Sequence, residues 1–218
     1  MKDTINKIKV EKPKLPYDLK EIDLLNIYKN EEGEISQGIV RDFCHNNAEV
    51  DNLSINQMLF RNAVLRDSEF NKIEITDVRF ENCDLSNACL SEAVIHRAEF
   101  VNCKLVGINM SETTLRNVSF KECNGQFSFF RFSDCKQVSF EECELKGSDF
   151  QKCNFIKVNF DKCSLIQGQM SGTKLGGMDF TTCDIEGMGV RIEDLNGAVV
   201  SAFQAASLAK LMGLVVVY

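Results

Sequence analysis

Large apolar side chains recur at every fifth residue of this chain. From Ile55 to Val200 the series reads Ile, Phe, Leu, Phe, Ile, Phe, Leu, Leu, Ile, Phe, Leu, Met, Leu, Phe, Gly, Phe, Cys, Phe, Leu, Phe, Phe, Phe, Leu, Met, Leu, Phe, Ile, Val, Leu, Val, broken only by Gly125 and Cys135. Two residues before each member, from Leu53 to Ala198, stands a small or medium side chain, and only Glu193 among them is charged. The other three positions of each unit are mainly polar. Two inward side chains spaced two residues apart are strand geometry, whereas an interval of five matches no helical face. One strand of such length lies far outside the usual range, so the pattern predicts a chain that turns after every unit.

A second period identifies the coil. VRFENCDL at 78, AEFVNCKL at 98, VSFEECEL at 138 and VNFDKCSL at 158 show a repeat of 20 residues, which is four units per turn. The prediction is a four-sided β-solenoid whose inward residues stack in columns. One column is Phe60, Phe80, Phe100, Phe120, Phe140, Phe160 and Phe180, which accounts for 16 Phe beside 3 Tyr and no Trp. A second is Cys83, Cys103, Cys123, Cys143, Cys163 and Cys183. Thiols stacked in parallel at about 4.8 Å do not meet disulfide geometry, and metal ligands converge on a point instead of running along a line. The cysteines therefore read as small buried hydrophobes, and no metal or cofactor is expected.

The unit fades at both ends. Residues 1–16 are charged and hold Pro13 and Pro16, which predicts a loose segment; 17–47 keep a degraded pattern and read as an N-terminal cap; 48–200 form the solenoid. In 201–218, Ser201 can N-cap a short helix over about 202–212 that ends at Gly213, and Leu214-Val215-Val216-Val217-Tyr218 reads as a terminal strand. This end either covers the last coil or builds a two-fold dimer through Phe203, Leu208, Leu211, Met212, Leu214, Val215, Val216 and Val217.

Charge and chemistry narrow the function. The formal net charge is −7, and residues 48–200 hold 16 basic against 23 acidic side chains, so the excess acid lies on the solenoid. That balance opposes direct nucleic-acid binding and suits a basic partner. The outward positions around the Phe column carry Glu81, Glu99, Glu122, Glu141, Glu142, Asp161 and Asp179, a candidate partner-binding face whose plain alternative is a solvated surface. Phe127, Phe129 and Phe132 fall on outward positions and form a candidate aromatic contact patch; the plain alternative is that a ring fills the space left by Gly125. The N-terminus lacks the apolar core of an export signal, and no apolar run approaches the roughly 20 residues of a membrane span, so a cytoplasmic protein without membrane contact is expected. Neither His45 nor His96 stands beside a nucleophile and an acid, and a filled prism offers no pocket for catalysis. An enzyme is not expected.

The unit, [A/V/C/S]-x-[L/F] followed by two polar residues across 53–200, resembles the pentapeptide-repeat family. Within it, the unbroken solenoid followed by SAFQAASLAKLMGLVVVY is similar to the fluoroquinolone-resistance subgroup (Qnr-type, MfpA-like), with Gln204, Ala205, Leu208, Gly213 and Leu214 carrying the tail pattern. The resemblance implies an all-β, right-handed quadrilateral β-helix with a short C-terminal α-helix and terminal strand. It also implies a homodimer through the C-terminus, and a non-enzymatic DNA mimic that binds DNA gyrase and topoisomerase IV and protects them from quinolones. The register leaves no room for projecting loops between 50 and 200, so the likeness is to loopless members. The alternative is a structural or adaptor repeat protein with another protein partner. Thirty units give roughly 36 Å of rod at 4.8 Å per coil. B-DNA of that length carries about 21 charges, so mimicry here would rest on one acidic edge and on shape.

Overall fold

The computed structural model describes residues 8–24 and 33–217. The chain winds as a solenoid, and two of its sides merge into one sheet of eight parallel strands: Lys20–Glu21, Glu34–Arg41, Ser54–Arg61, Glu74–Glu81, Val94–Val101, Thr114–Lys121, Asp134–Glu141 and Asn154–Asp161. The register is one coil throughout; Ile55 faces Ile75, Phe60 faces Phe80 and Phe140 faces Phe160. The other two sides pair through single parallel bridges such as Val64 with Asp84 and Asn109 with Phe129, joined near the first coils by the short pair Glu49–Asp51 and Glu69–Asn71.

The turns come from the backbone. Corner residues five apart, such as Gln57, Asn62, Asp67 and Lys72, have φ of 53°, 56°, 53° and 53°. This left-handed region costs most residues about 1–2 kcal/mol, and Asn, Asp and Gly least. Hence the corners hold Asn47, Asn52, Asn62, Asn82, Asn87, Asn102 and Asn117, with Gly at 107, 147, 172, 177, 187 and 197. Asn side chains also bridge successive coils: Asn62 Nδ2 donates to Asp42 Oδ1 at 2.8 Å, and Asn102 Nδ2 to Asn82 Oδ1 at 2.8 Å.

Inside, rings at 60, 80, 100, 120, 140 and 160 stack at centroid distances of 4.9, 4.8, 4.9, 4.7 and 4.8 Å. A second stack, Phe130 on Phe150 at 4.8 Å, meets the first edge-on. Gly125 interrupts the Leu column because the Leu145 side chain fills its place; a Cβ at 125 would lie 2.9 Å from Leu145 Cδ2. All ten cysteines are free thiols, and eight are buried. Each thiol of the six-membered column donates to the carbonyl of a Phe one coil earlier, as Cys123 does to Phe100 at 3.4 Å and Cys163 to Phe140 at 3.4 Å. Thr173 occupies the equivalent slot on another side and donates to the Phe150 carbonyl at 2.6 Å. Burial raises the Cys135 thiol well above its ordinary value and pushes Cys153 up to about 12.

The ends depart from the sequence reading in four ways. Regular sheet begins at Glu34, inside the stretch read as a degraded cap, because pairing with Ser54–Arg61 sets the register although Phe43 and His45 invert the usual sizes. Of the segment read as loose, residues 1–7 lie outside the described residues, while Lys9–Lys14 is hydrogen-bonded to four coils. The 3-10 turn Ile192–Leu195 swings Glu193 outward and brings in Asp194, which is buried and accepts from Arg191 Nε at 2.8 Å and the Gly172 N–H at 2.7 Å. Finally, helix α1 (Ala202–Ala209) forms with the expected Ser201 cap and ends through a 3-10 turn at left-handed Gly213, but Leu214–Val217 carries no strand, since none of these residues pairs with a described strand; Tyr218 lies outside the described residues.

Two outcomes follow from this packing. Phe100→Ala should lower stability by about 3–5 kcal/mol on chemical denaturation, and a loss below about 1 kcal/mol would contradict the stacked column. Thiol titration of native protein with a disulfide reagent at neutral pH should reach Cys44 quickly and half-buried Cys89 slowly. The eight buried thiols should react only after unfolding; fast reaction of all ten would refute the burial.

Candidate interaction surfaces

Because corner and outward side chains repeat once per coil, surface groups fall into rows along the rod. The row around the Phe column holds the seven acids singled out in the sequence, and the structure divides them. Glu81 accepts from Arg61 and Arg79, both at 2.7 Å. Glu99 is buried and pairs with Arg79 at 2.9 Å. Glu142 pairs with Lys162 at 2.8 Å, which holds its carboxyl below the ordinary value, and Glu122 lies 3.4 Å from Lys121. Three acids take neutral donors instead: Glu141 from the Ser139 hydroxyl at 3.3 Å, Asp161 from the Thr182 hydroxyl at 3.1 Å, and Asp179 from the Thr181 N–H at 2.8 Å. Among the described residues, the acids of this row that form no ion pair thus lie toward its C-terminal end, with Lys162 the cation acting on Glu141 and Asp161. The Arg79–Glu99 and Arg61–Glu81 pairs had a readable signal, since each joins residues 20 apart in the same row.

The aromatic patch faces solvent. Phe127, Phe129 and Phe132 are 53%, 39% and 51% exposed on a single coil. The Phe127 ring lies over Gly147, where a Cβ would come within 2.8 Å of its Cδ1. Arg131 stands over the Phe129 ring and Lys152 over the Phe132 ring, each 5.4 Å from the centroid, and Arg131 also pairs with Asp149. Leu145 takes the space left by Gly125, so none of the three rings tucks inward. Phe127 and Phe132 occupy corners with φ of 57° and 63°. A bulky residue is an outlier in that region, and the fold alone would be better served by Asn or Gly.

At the C-terminal end, Gln204 closes the solenoid by donating to the Phe180 and Cys183 carbonyls, both at 2.8 Å, and Leu208 packs on the core. Leu208 is half-buried, so part of its surface is taken up by the protein's own packing. Phe203, Leu211, Met212, Leu214, Val215 and Val217 are exposed, and Val216 is half-buried. Among the described residues no helix is long and apolar enough to cross a membrane, and no group of three His, Cys, Asp or Glu is arranged to hold a metal ion.

A family profile described as Pentapeptide repeat region matches residues 73–150, and a second, Pentapeptide repeats (8 copies), matches 133–172. Residues 73–172 are pentapeptide repeats. The left-handed corner and the paired large and small inward residues are the structural content of that repeat. No curated protein matches the sequence. Among solved pentapeptide-repeat structures, HetL, involved in heterocyst differentiation regulation in the cyanobacterium Nostoc sp. strain PCC 7120, is 13% identical with a TM-score of 0.45, covering 84% of this chain and 98% of its own. Full-length QnrB1, a plasmid-mediated fluoroquinolone resistance protein, is 20% identical with a TM-score of 0.34, covering 81% of this chain and 100% of its own.

Corner chemistry in this pentapeptide-repeat chain generates a stability test. Phe127→Asn should leave stability unchanged or raise it by up to about 1 kcal/mol, because Asn tolerates the left-handed corner. A fall of more than about 1 kcal/mol on denaturation would show that the ring is structural.

Proposed function

We propose that the protein is a non-enzymatic, cytoplasmic DNA mimic that binds DNA gyrase and topoisomerase IV and protects them from quinolones, acting as a homodimer joined at its C-termini. The observation that carries this reading is the set of carboxylates that form no ion pair among the described residues, Glu141, Asp161 and Asp179, running along one side of the rod toward an apolar terminus. Joined two-fold at that terminus, two rods bring these acids to the centre of a longer rod, where a basic DNA-binding surface of a topoisomerase meets them. The four acids paired with Arg or Lys contribute little to such a field. The tail residues Gln204, Ala205, Leu208, Gly213 and Leu214 supply the resemblance to the fluoroquinolone-resistance subgroup. The apolar contact uses Met212, Leu214, Val215 and Val217, with burial of these side chains as its driving force.

A second reading, an adaptor that binds another protein through Phe127, Phe129 and Phe132, is favoured by two bulky rings held at strained corners with no interior to fill.

Purified gyrase, assayed for supercoiling with ciprofloxacin, should be rescued by micromolar protein. Glu141→Gln/Asp161→Asn/Asp179→Asn should raise the concentration needed several-fold, and light scattering after size exclusion should give a dimer mass. Neither rescue nor inhibition would sink the topoisomerase reading and leave the adaptor reading. A monomer would remove the two-fold arrangement.

A further inference from the structure

One side of the square carries its charge unevenly along the rod. It lies between the corner row that holds Asn47, Asn87 and Phe127 and the corner row that holds Asn52, Glu92, Phe132 and Lys152. Its N-terminal half presents six exposed carboxylates, Glu49, Asp51, Asp67, Glu69, Glu92 and Glu112, against Arg66 and Lys72, and Arg66 is already paired with Asp84. Its C-terminal half presents Arg131, Lys146, Lys152 and Arg191 against Asp149 and Glu186. Where the sign changes, Phe127, Phe129 and Phe132 cross the side as a ridge of exposed rings. One coil beyond the ridge, Gly147 lies under the Phe127 ring and Lys152 stands over Phe132. One coil before it, the same rows hold Gly107, half-buried Asn109 and exposed Glu112. The strap of residues 9–14 crosses a different corner, that of Gln57, Asp77, Asn117 and Gln137.

A second copy laid antiparallel on this side is related to the first by a two-fold axis running across the rod. Each row then meets the same row of the other copy, with the order of coils reversed. Placed between the coils of Gly107 and Phe127, the axis sets the Phe127 ring on Gly107 of the second copy, a corner without a side chain. The two ridges lie side by side instead of end on. The same operation sets Lys152 opposite Glu92 and beside Glu112 of the second copy, twice by symmetry. It also lays the acidic half of each rod along the basic half of the other. In the corner row, Asn52, Lys72, Glu92 and Glu112 stand on one side of the axis and Phe132, Lys152, Gly172 and Ile192 on the other, so the rods overlap along their length. The overlap is about 34 Å long at 4.8 Å per coil and, at five residues a side, up to about 17 Å wide. It covers roughly 600 Å² per copy, about 1,200 Å² in all, which is the lower limit of a specific interface.

We propose that this side is a contact between two copies of the chain, antiparallel and two-fold, with the ring ridges at its centre and Lys152 held between Glu92 and Glu112 of the second copy. The contact uses no residue of the C-terminal junction and stands independently of the topoisomerase reading. It rests on the adaptor reading's view of the rings as a contact site, and names a second copy as what they meet. A charge that changes sign at the middle of the side is what a self-complementary antiparallel pair needs, whereas a foreign partner needs only one sign. The Phe rings at the φ-positive corners 127 and 132 mark the centre of that contact. Its small area makes the association weak and dependent on concentration. With the C-terminal junction also in place, alternating two-fold contacts join rods into chains.

Sedimentation equilibrium of the full chain from about 1 to 300 μM should show reversible association with a dissociation constant in the micromolar range. Glu92→Lys/Glu112→Lys and Lys152→Glu should each weaken it at least about ten-fold. All three substitutions in one chain should restore it to within about three-fold of the native value, because the exchanged charges meet again across the axis. Phe127→Asn/Phe132→Asn, which suits both corners, should weaken association while leaving the chain folded. Under excess thiol reagent, half-buried Cys89, which falls opposite Asp149 of the second copy, should react several-fold more slowly in concentrated than in dilute protein. Exposed Cys44, on another side, should react equally in both. Association indifferent to the charge and ring variants belongs to the C-terminal end and would overturn this contact. A combined variant that associates no better than its parents would overturn it too. A mass that does not change with concentration would also overturn it, and would leave the rings to a different protein as the adaptor reading has them.

Discussion

The fold rests on one backbone conformation repeated every five residues. Without a left-handed corner the chain would run on as a strand, and the large and small inward positions would face alternate neighbours instead of one interior. With it, the square closes, every coil lies directly on the last, and backbone groups find partners one coil away or, as Ala88 N–H with the Leu85 carbonyl, across a turn of the same coil. The corner costs about 1–2 kcal/mol for an ordinary residue, and each inward Phe or Leu returns about 1.5–3 kcal/mol on burial. The two must occur together in each unit, which is why the apolar series keeps its register from Ile55 to Val200.

The same constraint dictates what the surface can do. Outward groups repeat at coil spacing and form straight rows: an Asn ladder at one corner, Arg and Glu alternating beside the Phe column, and the Gln57, Asp77, Asn117 and Gln137 row beneath the N-terminal strap. Catalytic and metal-binding groups must converge on a point, whereas rows favour extended or linear partners. The proposed interaction with a basic DNA-binding surface uses this linearity.

The interior was legible in the sequence because its chemistry is periodic: the Phe stack and the thiol column follow from counting alone. What escaped is aperiodic or depends on three-dimensional neighbours. Nothing in VEKPK distinguishes a strap from a loose tail, because the strap is recognised by its backbone and needs little of its own sequence. Glu193 falls in register for the interior, yet a 3-10 turn substitutes Asp194, which Arg191 and the Gly172 N–H satisfy. The acidic face looked uniform as a list of residues, but Arg79, one coil from Glu99 and two residues from Glu81, neutralises both. A surface charge in a solenoid is therefore read correctly only with its neighbours 18 to 20 residues away, as Arg66 with Asp84 and Arg97 with Asp77 also show.

The two ends of the rod solve the open-edge problem differently, and the difference bears on assembly. Parallel coils leave unpaired backbone and apolar interior wherever the stack stops. At the N-terminal end Lys20–Glu21 adds a short strand to Gly38–Ile39, and Leu24 joins the buried cluster with Ile35 and Leu53, so edge and interior are both covered. At the C-terminal end Gln204 satisfies two carbonyls and Leu208 covers part of the last coil, but the covering layer keeps Met212, Leu214, Val215 and Val217 facing out. A cap that serves only its own chain has no use for apolar side chains on its outer side, where charged ones would keep the protein soluble. The proposed C-terminal two-fold contact falls at this end because, among the described residues, only there does closing the solenoid leave an apolar layer unburied.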